Sequence, residues 1–336
     1  MLSFLLFPFA CLYNAITLFR NLLYDRGFLK SEIFNVSTIC VGNLRVGGTG
    51  KTPFIEFLIS EFLSSGKKIS ILSRGYGRKS KGFLEANQNS TSRDIGDEPL
   101  QYFLKYKNKV NVYVDEKRPH GIQSILHTDF KTQAILLDDA FQHRPLKARV
   151  NILLTEFKRP FYEDFLLPYG RLRESRSGAD RADIIVITKC PKTLSSNETG
   201  KIESQIKRYA KINTPIFYTS IKYSEPIMGI GKQIVISEEF VLVCGIDNPQ
   251  PFISYVETKF VINSKRIYKD HHEFTNSDIY DLNQLNLPVL TTEKDFVRFK
   301  KWQDKLIVPV FYIPIKIDFL KGKDQFLFVL REKLNA

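Results

Sequence analysis

The apolar positions of this chain fall into short unbroken runs, each followed by a segment in which they return every three or four residues. Runs at 36–41, 68–72, 110–114, 134–137, 151–154 and 183–187 read as strands, and 52–63, 98–106 and 121–127 as helices. A strand buried on both faces shows such a run instead of alternation. The rhythm therefore predicts an α/β protein with a mostly parallel sheet covered by helices on both faces. A second, smaller α/β domain is expected from about Glu238, with strands at 240–243, near Phe260 and at 289–291, and helices after Pro249 and from Ser277. Two similarly worded β-rich segments bracket it, Ile216 to Lys222 and Val310 to Lys316. Paired as a two-stranded linker, they would return a last helix at 324–334 to the first domain. The expected division is 1–30, 31–222, 223–309 and 310–336, with a hinge between the two main parts.

The N-terminal segment follows a different rule. Leu2 to Phe19 carries no charge and is followed by Arg20, Arg26 and Lys30. No basic stretch precedes it, as a cleaved signal would require, and Pro8, Tyr13, Asn14 and Thr17 dilute it below the roughly 20 apolar residues of a spanning helix. Two readings remain. In one, Phe4, Phe7, Leu12, Ile16 and Phe19 form the lipid-seeking side of a helix lying in a membrane interface, with the trailing bases on anionic headgroups. In the other, the same helix packs into the core.

Charge narrows the partners. Lys+Arg 49 against Asp+Glu 36 leaves a net +13, which favours phosphate-bearing molecules: a nucleotide, a nucleic acid or an anionic membrane. With 43% hydrophobic and 25% charged residues in 336, the chain is globular and long enough for two domains. Cys11, Cys40, Cys190 and Cys244 lie far apart without C-x-x-C spacing, so neither a disulfide framework nor a zinc site is expected, and a reducing compartment fits best.

Between the first strand and the first helix stands Gly47-Gly48-Thr49-Gly50-Lys51-Thr52. Glycines let successive N–H groups turn toward an anion and the helix start adds its dipole. Lys51 can reach the β/γ-phosphates and Thr52 can bind Mg²⁺. The loop departs from the strict G-x-x-x-x-G-K-[ST] pattern in one place, where Arg45 replaces the first glycine. Asp138-Asp139, at the end of an apolar strand, is the acidic partner such a loop calls for, able to hold Mg²⁺ opposite Thr52. Asp97 and Glu98 open a helix; they serve as its N-cap and first-turn acids, or place a carboxylate where an acceptor hydroxyl needs a base. Arg74 and Arg171 sit in glycine-containing loops suited to clamping phosphate, and Ala140 to Arg144 is dense in polar-contact residues.

Taken together, these segments resemble one family, the tetraacyldisaccharide 4′-kinases of lipid A synthesis. The likeness lies in Val41-Gly42-Asn43-Leu44, the glycine loop through Pro53, Ser73-Arg74-Gly75-Tyr76, Gly96-Asp97-Glu98-Pro99 and Leu137 to His143. It continues in Leu167-Pro168-x-Gly170-x-Leu172-Arg173-Glu174, Asp270-His271 and Thr292-Glu293-Lys294-Asp295. The resemblance implies a P-loop kinase that transfers the ATP γ-phosphate to the 4′-hydroxyl of a tetraacylated glucosamine disaccharide 1-phosphate, giving the bis-phosphorylated lipid A precursor. It implies a place on the cytoplasmic side of the inner membrane, and neither a nucleic acid nor a protein partner. By the same analogy Gly47, Gly48, Thr49, Gly50, Lys51 and Thr52 bind ATP. Thr52, Asp138 and Asp139 hold Mg²⁺, Asp97 and His271 (with His272 as its rival) form an acid/base pair beside Lys51, and Arg74, Arg118, His143, Arg171 and Glu174 meet the substrate. The competing class is a membrane-associated P-loop ATPase switch, which usually carries lysine where this chain has Val46. A GTP switch is disfavoured because Ile187-Thr188-Lys189-Cys190-Pro191 lacks N-K-x-D, and no recognised module supports nucleic-acid binding.

Overall fold

The computed structural model describes residues 6–231 and 239–335. Phe4 and Glu238, named in the expectations above, lie outside the described residues.

Strand β1 (Ser37–Asn43) is the centre of a nine-stranded sheet. On one side β5 (Ala134–Asp138), β2 (Ile69–Ser73) and β4 (Asn111–Val114) continue it in parallel. On the other side β6 (Val150–Glu156), β7 (Ile184–Thr188) and β8 (Ile216–Tyr223) do the same. Only the edges run antiparallel, β3 (Leu84–Glu85) on β4 and β14 (Ile315–Phe319) on β8.

The unbroken apolar runs are explained by two cores. Ile39 and Val41 of β1 pack with Phe54, Ile55 and Leu58 of α2 (Lys51–Ser64), while Cys40 between them faces Ile122 and Ile125 of α5 (Arg118–Thr128). Successive side chains point to opposite faces, so a sheet covered twice needs apolar residues at every position. On the α2 face, α4 (Asp97–Tyr106) and α10 (Lys323–Asn335) complete the layer, and Phe326 of α10 meets Phe54 and Phe217 edge-on. Each such fully buried side chain contributes about 1.5–3 kcal/mol. The short α3 (Ser92–Ile95) precedes α4, and α6 (Ser196–Ile206) lies on the α5 side.

A second sheet runs β11 (Val261–Ile267), β10 (Glu239–Cys244), β12 (Val289–Thr292) and β13 (Val310–Ile313) in parallel, closed by antiparallel β9 (Ile227–Ile230). Helices α7 (Gln250–Glu257), α8 (Asn276–Gln284) and α9 (Glu293–Phe299) accompany it. The expected linker pairing is shorter than the wording of its two segments suggested. Ile315 lies opposite Tyr223 and Phe319 opposite Thr219, whereas Val310–Ile313 belongs to the second sheet beside β12. Pro314 stands between, without an N–H to donate to a ladder, and the chain changes sheets there. The change of sheet thus falls four residues after the expected boundary at 310.

Helix α9 also touches the first sheet's helices. Lys105 of α4 sits between Glu56 of α2 at 2.7 Å and Glu293 of α9 at 2.8 Å, and Gln101 donates to Glu56 at 2.9 Å. Both carboxylates are buried. Burial and the Glu293 charge push Glu56 up to about 7, against the pull of Lys105.

Helix α1 (Phe7–Asp25) has its faces inverted relative to an ordinary amphipathic helix. Ala10, Thr17 and Asn21 are turned inward, and Phe7, Phe9, Leu12, Ile16 and Phe19 are exposed. Polar bonds fasten it: Tyr13 Oη donates to the Arg173 carbonyl at 2.7 Å and Asn21 Nδ2 to Glu174 at 3.1 Å. Core packing of its large side chains, the second reading above, is not what holds it. Among the described residues no helix is long and apolar enough to cross a membrane.

Candidate active site

The parallel strands of the main sheet end at one edge, and their ends build one cleft. β1 delivers Asn43 and the glycine loop, β2 delivers Ser73 and Arg74, and β5 delivers Asp138 and Asp139. β6 and β7 add Glu156, Thr188 and Lys189.

Gly47 and Gly50 take φ of 114° and 86°, a region open to glycine at little cost, and α2 begins at Lys51. The loop is pinned from several sides. Thr49 Oγ1 accepts from Asn43 Nδ2 at 2.7 Å, its carbonyl accepts from Thr188 Oγ1 at 2.8 Å, and the Gly48 carbonyl accepts from Lys189 Nζ. Arg45 explains the missing glycine. Its Nε lies 2.5 Å from Asp164 and its Nη1 3.6 Å from Glu156, which also pairs with Lys189. A flexible position is thus replaced by an ionic strap. Asp247, from the loop after β10, lays its carboxylate against Gly47 and lies 3.7 Å from Arg171 Nη1.

Asp139 is held at both oxygens by Arg173, at 2.9 and 3.0 Å, with Lys51 Nζ 3.7 Å away. Burial acts to raise its pKa, but the Lys51 and Arg173 charges outweigh that and hold it below the usual carboxylate value. Arg173 also donates to Asn43, tying the acid to the glycine loop. Asp138 is different. It is buried, takes one long bond from Ser73 Oγ at 3.3 Å, and is pushed up to about 7 by burial and by the Asp139 and Glu98 charges. A buried carboxylate whose neighbouring Lys51 and Arg118 charges do not offset its burial and the adjacent acids, in the same cleft as Thr52, fits a divalent cation. No group of three or more His, Cys, Asp or Glu able to hold a metal by itself exists among the described residues, so such a cation would complete its shell with phosphate oxygens and water, the habit of Mg²⁺.

Asp97 and His271 meet although they are far apart in sequence and on different sheets: His271 Nδ1 lies 3.0 Å from Asp97 Oδ2. Arg298 of α9 donates to the same oxygen through Nε at 2.9 Å and Nη2 at 2.7 Å, while its Nη1 reaches Asp295 at 3.0 Å. Burial acts to raise Asp97; the hydrogen bond from His271 and the Arg298 charge overcome it and hold the carboxyl down at about 2. Lys294 Nζ lies 3.0 Å from His271 Nε2. His272 is occupied elsewhere, stacked on Tyr268 at 4.2 Å and 3.1 Å from Asp278.

The substrate-facing group divides. Arg74 is exposed at the cleft and Arg171 is half-exposed. His143 is partly buried, its Nε2 accepting from the Arg118 N–H at 3.3 Å, and burial followed by the Arg118 and Arg74 charges lowers it to about 4. Arg118 and Glu174 are turned inward. Arg118 is fully buried and spends its guanidinium on the carbonyls of Asp115 at 2.6 Å and Asp138 at 3.0 Å, so it positions the end of β5. Glu174 is equally buried, bound by Asn21, Gln142 and Arg181, and fastens α1 to the sheet. Asp139, expected in the metal shell, is engaged by Arg173 and Lys51. Sequence reasoning quoted Lys294 and Arg173 inside motifs without giving them work, and missed Arg298 and Asp247 altogether; only a cross-sheet contact reveals those two.

A model of the family described as tetraacyldisaccharide-1-P 4′-kinase matches residues 2–335. The tetraacyldisaccharide 4′-kinase of Flavobacterium johnsoniae is 45% identical over 96% of this chain and 94% of its own. That of Cytophaga hutchinsonii is 41% identical over 99% and 96%. Among solved structures, the "apo" form of LpxK from Aquifex aeolicus in complex with ATP superposes with a TM-score of 0.77 at 29% identity, covering 99% of this chain and all of the other. A P-loop cleft, an acidic strand end and a carboxylate–histidine pair shared between two sheets, together with these matches over the whole length, establish that the chain belongs to the tetraacyldisaccharide-1-P 4′-kinase family.

Proposed function

We propose that this chain transfers the ATP γ-phosphate to the 4′-hydroxyl of a tetraacylated glucosamine disaccharide 1-phosphate, with Asp97 as the group that orients the hydroxyl and takes its proton. The observation that carries this reading is the contact of Asp97 with His271 and Arg298 across the two sheets. A carboxyl held near 2 is a weak base at neutral pH. It suffices for phosphoryl transfer, because the transition state is loose and the attacking oxygen keeps its proton until late. The glycine loop and α2 receive the phosphates, Lys51 meets the β/γ-oxygens, and Asp139 and Arg173 fix Lys51 in place. Thr52 and Asp138 would hold Mg²⁺, which when bound offsets the charge of the phosphates. Arg74, His143 and Arg171 face the cleft where the disaccharide phosphate would lie.

The two sheets act as two domains, divided near 223 and 314, whose approach brings His271 and Arg298 to Asp97 and excludes water. Arg171 would exchange Asp247 for phosphate on the way. The exposed side of α1 serves a membrane surface, since its large apolar residues are left exposed among the described residues. An ATP-dependent enzyme on a lipid acceptor belongs on the cytoplasmic face of the inner membrane.

The test is transfer of labelled γ-phosphate from Mg-ATP to the acylated disaccharide 1-phosphate in detergent, with Lys51→Ala as control. Lys51-dependent product supports the kinase. ATP hydrolysis without transfer would favour a membrane ATPase switch.

A further inference from the structure

We propose that Lys294 is a positioning residue of the phosphoryl-transfer site, locking His271 in the tautomer that carries its proton on Nδ1 and so aiming that proton at Asp97. The proposal rests on the kinase reading of Asp97 and His271.

The two ring nitrogens of His271 face opposite chemistries. Nδ1 lies 3.0 Å from the Asp97 carboxylate and Nε2 lies 3.0 Å from the Lys294 ammonium. A carboxylate only accepts and an ammonium only donates. Nε2 therefore turns its lone pair to Lys294, and the proton resides on Nδ1.

The surrounding charges test this assignment. Asp270 Oδ2 is 3.8 Å from Nε2 and draws a proton toward it, but that is beyond hydrogen-bond distance. The other Asp270 oxygen lies 3.6 Å from Lys294 Nζ, and Glu98 lies 3.5 Å from it. The ammonium is thus set into an acidic rim at the point where it opposes protonation of Nε2. Arg298 reaches the pair through Asp97, and the Tyr76 ring stands edge-on at 6.1 Å from the imidazole. His271 itself has φ of 60°, which non-glycine residues rarely adopt.

The lock has a chemical consequence. The Nδ1–H bond and both Arg298 bonds converge on Asp97 Oδ2. Among the described residues that leaves Oδ1 to receive the acceptor hydroxyl. Were Nε2 protonated as well, the imidazolium would add a second full positive charge beside Asp97 and weaken it further as a base.

The experiment is nitrogen NMR of the full-length protein labelled in histidine, with His271→Gln identifying the signal among five histidines. The expected wild-type result is a proton on Nδ1 and a bare Nε2 at neutral pH, and this needs no variant to fold. In Lys294→Met the donor to Nε2 is gone, so the tautomer with its proton on Nε2 should gain population. The kcat should fall about tenfold or more, while KM for ATP moves less than about twofold. Lys294→Arg, which still donates, should recover most of the rate. A wild type protonated on Nε2, or a Lys294→Met protein with unchanged tautomer and kcat, would overturn the lock. A wild type with the expected tautomer that transfers no phosphate would support the lock and refute the kinase reading instead.

Discussion

Arg298 places two of its guanidinium nitrogens on a single oxygen of Asp97 although the two residues belong to helices of different sheets. The third nitrogen holds Asp295, a buried carboxylate that also caps its own helix through Thr292 and accepts from the Gly245 N–H at 2.9 Å. One side chain therefore keeps the start of α4, the start of α9 and the end of β10 in register. The strength of the Asp97–His271 pair is inseparable from the strength of the contact between the two halves.

Replacing Asp97 removes both contributions at once, and two measurements read them. Asp97→Ala should leave ATP affinity nearly intact while turnover drops by about two to four decades, the usual worth of a positioned proton acceptor. Asp97→Asn should be tested by pH as well. The wild-type carboxyl sits near 2, below its unfolded value, so it adds stability that is complete above about pH 4 and disappears as the pH falls toward 2. The stability difference between wild type and Asp97→Asn, about 2 kcal/mol from this source at neutral pH, should shrink across that window in denaturant titrations. A difference independent of pH would mean that Asp97 is not the charged partner of Arg298.

Restoring the consensus glycine should harm this protein. Arg45→Gly removes the strap to Asp164 and Glu156 and leaves Glu156 with Lys189 and Asp164 with only the N–H groups of Phe165 and Arg171. We expect KM for ATP to rise about tenfold with a smaller change in kcat, read by steady-state kinetics. Equal or tighter ATP binding would show that the strap is incidental.

Lys105→Met should destabilise by about 3–5 kcal/mol, because it strands Glu56 and Glu293 together in a buried site. Adding Glu293→Gln should recover part of the loss, since one of the repelling charges is then gone. Thermal melting of the single and double variants decides it; an additive double variant would mean that the three groups do not act as a cluster.

Substituting Leu12, Ile16 and Phe19 together by Ser should abolish sedimentation with anionic vesicles with little change in the melting temperature, because these side chains are largely exposed. Membrane binding that survives the change would assign the attachment to another surface, and a large loss of stability would mean that α1 is covered by protein in solution.

Much of this was legible in the chain. The main sheet was readable because doubly covered strands leave continuous apolar runs, and the glycine loop because its backbone needs are severe. What escaped was set by tertiary geometry. Arg118 and Glu174 carry charged side chains suited to a polar substrate, yet Arg118 turns inward to carbonyls and Glu174 to two amides and Arg181, and nothing in a linear motif gives the direction of a side chain. The β13/β14 division was missed because the two segments are one apolar run interrupted by a single Pro314, and only pairing partners reveal that the run serves two sheets. Arg298 sits in a helix whose composition is unremarkable; its value comes from what α4 brings opposite.

The pairing of Tyr223 with Ile315 carries a consequence for the chain's history and handling. The polypeptide leaves the first sheet at one member of a register pair and re-enters it at the other, so everything between them is an insertion whose two ends are already joined by the ladder. Closing that long excursion costs the first sheet little, since the entropy of loop closure grows only slowly with length. A short turn could replace it and leave β8 and β14 as an ordinary hairpin. The nucleotide cleft would then remain on its own sheet while the residues that complete Asp97 were lost, making the phosphate-binding half and the half that completes the dyad separable parts of one chain.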